Sequence, residues 1–187
     1  MVKPTEMNGH TGDNEIGTPD DLFDWLNRRF NFNYDAFASS ENHLCDYYST
    51  IAGSFEEAFN RPEESYPGDG ISNDWADQRV FWNPPYGVHE NACNTETCKR
   101  KKSAERGYHN ATEATGYEEC IRKAIAERNN VEISVGLCKY DASTETGRLL
   151  RENFHLEYLP RIQYKGMTAP APFASVIAIN IPDRWKK

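Results

Sequence analysis

Asn83, Pro84, Pro85 and Tyr86 follow one another directly after a short strand-like run at 79–82 and open into Gly87. This order puts an amide, a prolyl carbonyl and an aromatic ring at the carboxyl end of a strand. Two consecutive prolines fix φ and remove two backbone donors, so the carbonyls of the turn can accept hydrogen bonds from something other than the protein. A planar amino group meets that need. The Asn83 oxygen and the Pro84 carbonyl can each take one N–H of an exocyclic amine, while Tyr86 offers a face on which the attached ring stacks. The chemistry such a grip serves is methylation of nitrogen. Asn-Pro and Pro-Tyr are also ordinary turn dipeptides, so the rest of the chain has to decide between the two readings.

The elements that must position this turn can be read from period and punctuation. A polar arm runs to Gly17. A helix is expected from Thr18 or Asp20, with Thr or Asp as the N-cap, Pro19 in the first turn, and Leu22, Phe23, Leu26 and Phe30 at helical spacing. A strand follows at 32–38 and runs into a turn of small residues. Residues 51–77 are acidic and broken by Pro62, Pro67, Gly68 and Gly70, which reads as a helix fragment and loop with a short strand near Gly70-Ile71. Residues 80–82 form the next strand, and a long polar stretch separates it from a helix at 118–128 with Ile121, Ala124 and Ile125 inward. A buried strand at 131–137, a short helix at 148–154 and strands at 156–163 and 175–181 complete the chain. Strands alternating with helices indicate an α/β sheet covered on both faces. The last two strands have no helical pattern between them and should pair as an antiparallel edge hairpin.

Four blocks, in order, resemble the phage-type DNA adenine methyltransferases: Thr18-Pro19-Asp20-Asp21-Leu22-Phe23; Asn33-Tyr34-Asp35-Ala36-Phe37-Ala38-Ser39 with Glu41-Asn42; Arg79-Val80-Phe81-Trp82-Asn83-Pro84-Pro85-Tyr86-Gly87; and Ala171-Pro172-Phe173-Ala174-Ser175-Val176-Ile177. They span most of the chain. The resemblance implies a Rossmann-like, S-adenosylmethionine-dependent methyltransferase fold, methylation of the exocyclic amine of adenine, and double-stranded DNA as partner. It implies Asn83, Pro84, Pro85 and Tyr86 as the catalytic turn. It places the cofactor loop at Asp35, Ala36 and Ser39, with Asn42 adding a polar contact, Thr18 and Pro19 beside the methionine end, and Asp69, next to Gly70, at the adenosine. Small residues at Ala36 and Ser39 let a ligand come close to the backbone. A base inside a duplex cannot reach a methyl donor, so such an enzyme takes the adenine out of the stack. Asparagine in the first position of the turn favours adenine over the exocyclic amine of cytosine, where serine is the commoner residue. Methylation of a glutamine amide in a protein, and a non-catalytic DNA-binding module, are the remaining alternatives.

Composition agrees with one enzyme domain. The 187 residues suit a single core, and 38% hydrophobic content can fill it. The organisation expected is a flexible arm at 1–17 and one domain at 18–187, with a polar insertion at 88–117. No apolar run approaches a membrane span or a signal peptide, which predicts a cytoplasmic protein with no membrane partner. Five cysteines are an odd number and form no evident disulfide framework. Cys93 and Cys98 lie near His89, His109 and Cys120, but no second close cysteine pair completes a tetrahedral set, so no metal is assigned. The net charge of −8 runs against polyphosphate binding. Its distribution does not: Lys99, Arg100, Lys101, Lys102 and Arg106 form a basic run just past the catalytic turn, and these are the candidate DNA-phosphate contacts. The long polar stretch that holds them is also the candidate target-recognition element.

Overall fold

The computed structural model describes residues 16–39, 42–50, 70–89 and 115–185. The chain forms α1 (Asp20–Phe30), β1 (Tyr34–Ala38), β2 (Tyr47–Thr50), β3 (Arg79–Trp82), α2 (Tyr117–Ala126), β4 (Ile133–Tyr140), α3 (Glu145–Asn153), β5 (His155–Tyr158) and β6 (Ala174–Asn180), and closes with a 3-10 turn at Asp183–Trp185. The strands make one mixed sheet in the order β2-β1-β3-β4-β6-β5. β2, β1, β3 and β4 are mutually parallel, and β6 lies antiparallel between β4 and β5.

Alternate residues of the central strands enter different cores, as the pleat requires. Val80 and Trp82 of β3, Cys138 of β4, and Val176 and Ala178 of β6 face α2 and α3. Phe81, Val135, Leu137, Ile177 and Ile179 face α1. Burial on both faces explains why these strands read as continuous apolar runs. In α1 the spacing seen in the sequence is the packing: Phe23, Leu26 and Phe30 are buried, and Phe23 meets Phe81 edge-on at 5.2 Å. Asp20 and Asp21 in its first turn and Arg28 and Arg29 in its last suit the helix dipole. Arg29 then grips Glu157 of edge strand β5 through two bonds of 2.8 and 2.7 Å.

Several boundaries differ from the expected ones, each for a local reason. Pro19 itself occupies the N-cap of α1, with no side-chain cap, and Thr18 turns inward instead. β2 is an additional strand; it is four residues long, with only Tyr48, Ser49 and Thr50 buried. Gly70-Ile71 is a turn rather than a strand, and the Gly70 amide donates to Thr50 O at 3.0 Å. β4 begins at Ile133 rather than Val131, because the Val131 amide still bonds back to Glu127 O. It continues to Tyr140 because Lys139 and Tyr140 find partners on β6. α3 starts at Glu145 because the Thr144 hydroxyl caps it, accepting from the Gly147 amide at 3.1 Å. β5 stops at Tyr158, short of Pro160, which has no N–H for the ladder. The antiparallel pairing of the last two strands is as expected, with β5 at the edge and β6 inside the sheet. The arm at 1–15, the helix fragment expected within 51–69, and most of the insertion, with Cys93, Cys98 and His109, lie outside the described residues.

Candidate active site

From β1 the chain moves outward to β2 and then crosses back to form β3 on the other side of β1, so the switch in strand order falls between β1 and β3. Ligands of open α/β sheets bind beyond the carboxyl ends of the strands at such a point. A pocket opens there, built from four separated segments: Ile16 and Thr18; Asp35, Phe37, Ala38 and Ser39; Asn42 and Leu44; and Phe81, Asn83, Pro84, Pro85 and Tyr86.

Asn83 is held by both ends of its amide. Its Nδ2 donates to Ile16 O at 2.9 Å, and its Oδ1 accepts from the Tyr86 hydroxyl at 3.1 Å. A carbonyl only accepts, so Ile16 fixes which way round the amide sits, and the oxygen faces the Tyr86 side. That oxygen has a second lone pair. Among the described residues nothing donates to the Pro84 carbonyl. The turn therefore carries two acceptors with capacity to spare. Pro84 also has no N–H to extend the β3–β4 ladder past the Trp82 and Gly136 pair, and the Leu137 carbonyl instead lies 3.1 Å from the Tyr86 hydroxyl, a second acceptor for the one hydrogen that also faces Asn83 Oδ1.

Tyr86 is packed more tightly than its sequence position suggests. Tyr117, Tyr164 and Phe173 each meet its ring edge-to-face, at 5.4, 6.1 and 5.4 Å. Burial, together with neighbouring Tyr164 and Tyr117, pushes its hydroxyl well above the ordinary phenol range, so it stays protonated and serves as a hydrogen-bond donor, not a base. Tyr86 also lines a second cavity, of about 440 Å³, bordered in part by Gly87, His89, Tyr117, Glu119, Arg122 and Lys139.

Asp35 is the carboxylate of the first pocket and is only 3% exposed. Its Oδ2 accepts from the Leu44 amide at 3.1 Å. Burial raises its pKa from 3.8 to about 7, against the opposing effect of the amide bonds from Leu44 and Phe37. A carboxylate so placed is short of a cation. Thr18 lines the same pocket, is 2% exposed, and its Oγ1 has no hydrogen-bond partner among the described residues. An orphaned buried hydroxyl costs about 1–3 kcal/mol, and a polar ligand in the pocket would relieve it. Ser39 and Asn42 close the loop between them by reciprocal backbone bonds of 3.2 Å, with the Ser39 hydroxyl accepting from the Asn42 amide at 3.1 Å.

Thr18, Asp35, Ser39, Asn42 and Asn83 through Tyr86 thus converge on one pocket. Pro19 and Ala36 do not line it: Pro19 faces a surface hollow beside Asp20 and Gln163, and Ala36 is fully buried with its carbonyl under Gly70. Asp69 and the basic residues Lys99, Arg100, Lys101, Lys102 and Arg106 lie outside the described residues. The Leu44 amide, the Ile16 carbonyl and Tyr164 join the site without a signal in the sequence, because backbone groups carry none and Tyr164 reaches Tyr86 across 78 positions. Among the described residues no cluster of histidine, cysteine or acidic side chains could hold a metal ion, and no helix is long and apolar enough to cross a membrane. Comparison with protein families and with curated proteins gives no match to this chain.

Proposed function

We propose that the protein is an S-adenosylmethionine-dependent methyltransferase acting on the exocyclic amine of adenine in double-stranded DNA, on a Rossmann-like methyltransferase sheet. The observation that carries this reading is the Asn83 amide. It is fixed by Ile16 with its oxygen toward the Tyr86 hydroxyl, and together with Pro84 it lines a pocket that also contains a buried carboxylate at the switch point of the sheet. The insertion of the last strand, antiparallel, between β4 and β5 and the four sequence blocks support the same assignment.

The pocket suits a cationic, polar cofactor. Asp35 can accept from its ammonium or ribose, Thr18 brings an unsatisfied hydroxyl, and Ser39 and Asn42 border the same space. S-adenosylmethionine supplies the electrophilic methyl group. The amine nitrogen of adenine is a weak nucleophile because its lone pair is delocalised into the ring. Acceptors at Asn83 and Pro84 favour the pyramidal nitrogen and aim its lone pair, and Tyr86 stacks against the ring. Positioning and preorganised dipoles then supply the rate. The nitrogen would gain a carbon as the sulfonium–methyl bond breaks and leaves a neutral thioether, and it would release one hydrogen as a proton to solvent. No residue of the turn acts as a base, and the neutral Tyr86 hydroxyl is consistent with that.

The test is transfer of radiolabelled methyl from S-adenosylmethionine to duplex DNA, followed by digestion to nucleosides. Label in methylated adenine is the expected result. Label in cytosine, or in protein instead of DNA, would move the assignment to the corresponding alternative, and binding of DNA without transfer would point to a non-catalytic module.

A further inference from the structure

The candidate turn is tied into a line of hydroxyls that reaches β6. Tyr86 Oη lies 3.0 Å from Tyr164 Oη, and Tyr164 Oη lies 3.0 Å from Ser175 Oγ. Tyr86 Oη is also 3.1 Å from both Asn83 Oδ1 and Leu137 O. A hydroxyl has one hydrogen, whereas a carbonyl or carboxamide oxygen can only accept. Tyr86 therefore donates to either Asn83 or Leu137, and of these neighbours only Tyr164 can use its lone pair. The direction of the line follows: Ser175 donates to Tyr164, Tyr164 to Tyr86, and Tyr86 to one of two acceptors. The opposite polarity would spend the Tyr86 hydrogen on Tyr164 and leave its oxygen facing two bare acceptors. Tyr164 and Ser175 are each 1% exposed, so bulk water does not stand in for either hydroxyl.

We propose that Tyr164, backed by Ser175, is a positioning residue that holds the Tyr86 hydroxyl hydrogen between Asn83 Oδ1 and Leu137 O, steadying Asn83 before the amine binds and freeing its oxygen afterwards. This rests on the methyl-transfer reading above. When an amine N–H arrives at Oδ1, the Tyr86 hydrogen turns to Leu137 O and every acceptor in the line has a donor. Only hydrogen bonds change; no proton leaves a residue.

Tyr164→Phe keeps the ring and removes the hydroxyl. Single-turnover methyl transfer to duplex DNA and calorimetric binding of S-adenosylmethionine are compared for wild type, Tyr164→Phe, Tyr86→Phe and the double variant. Tyr164→Phe should lose about tenfold in rate while cofactor affinity stays within about twofold, the loss expected for one hydrogen bond felt mainly in the transition state. In the Tyr86→Phe background it should cost nothing more, because the line reaches Asn83 only through that hydroxyl, whereas a packing role gives losses that add. Ser175→Ala cuts the line one bond further back and should lose about threefold, which answers the question if Tyr164→Phe does not fold. A wild-type rate in Tyr164→Phe, or losses that add fully, overturns the relay while leaving methyl transfer intact. A folded wild-type protein that transfers no methyl group overturns the methyl-transfer reading, and the relay with it.

Discussion

At the scale of single residues, Asn83 and Asp35 divide the pocket's work. Asn83 contributes an oriented acceptor, so its truncation should be felt in turnover and hardly in cofactor binding. Asn83→Ala is expected to lower the transfer rate by about 100-fold or more, the order seen when one preorganised hydrogen-bonding group is removed from a transition-state site, with the dissociation constant for S-adenosylmethionine nearly unchanged. Rate and affinity measured on one preparation check this, and near-normal methylation would refute the role. Asp35 contributes a charge that its surroundings resist. Its folded pKa of about 7 lies above the ordinary 3.8, so its contribution to stability is complete below about pH 4 and is lost as pH rises through 7. The loss across that window is about 4 kcal/mol, at roughly 1.4 kcal/mol per pKa unit. Asp35→Asn should flatten that part of the stability curve. A cation bound beside Asp35 draws the proton off, so cofactor affinity should rise with pH up to about 7 and then level, with proton release on binding. Calorimetry in buffers of different ionisation enthalpy measures the release, and a pH-independent affinity would exclude Asp35 as the cation's partner.

At the scale of elements, the sequence is legible where structure depends on short-range pattern. The run before Asn83, the inward set of α1 and the two-face burial of β4 and β6 can be read because apolar period and proline punctuation are local. β2 cannot, since a four-residue parallel strand owes its existence to register with β1, Tyr34 opposite Tyr47, and not to its own pattern. The start of α3 is legible in principle from Thr144, whose hydroxyl caps it. Gly136 belongs to the same class. A glycine inside a central strand looks like a weakness, yet a Cβ there would sit 2.4 Å from the Trp82 ring, so the missing side chain is the space the indole fills. Gly136→Ala must displace a fully buried Trp82, the residue immediately before Asn83. It is expected to cost about 1–3 kcal/mol, as overpacking of a filled core does. Thermal or urea unfolding measures it, and an unperturbed midpoint would mean that the sheet opens more easily than its packing implies.

At the scale of the whole molecule, charge sets the hardest demand. On the proposed reading, a chain of net charge −8 approaches a polyanion. The described surface beside Tyr86 offers little help: the second cavity carries Glu118, Glu119 and Asp141 against Arg122, Lys139 and His89, and Arg122 is already paired with Glu118 at 2.7 Å. If this face meets DNA, the positive footprint has to come from elsewhere in the chain, and Lys99, Arg100, Lys101, Lys102 and Arg106 are the densest basic run near the turn in sequence. Neutralising them to glutamine should weaken binding to duplexes of any sequence alike, and should reduce the slope of log affinity against log salt by about one for each phosphate that no longer meets a cation. Cofactor affinity should not move, since the pocket between β1 and β3 is assembled from other segments. Titration of labelled duplex at several salt concentrations reads both quantities, and a slope equal to that of the wild type would show that DNA is met by another face.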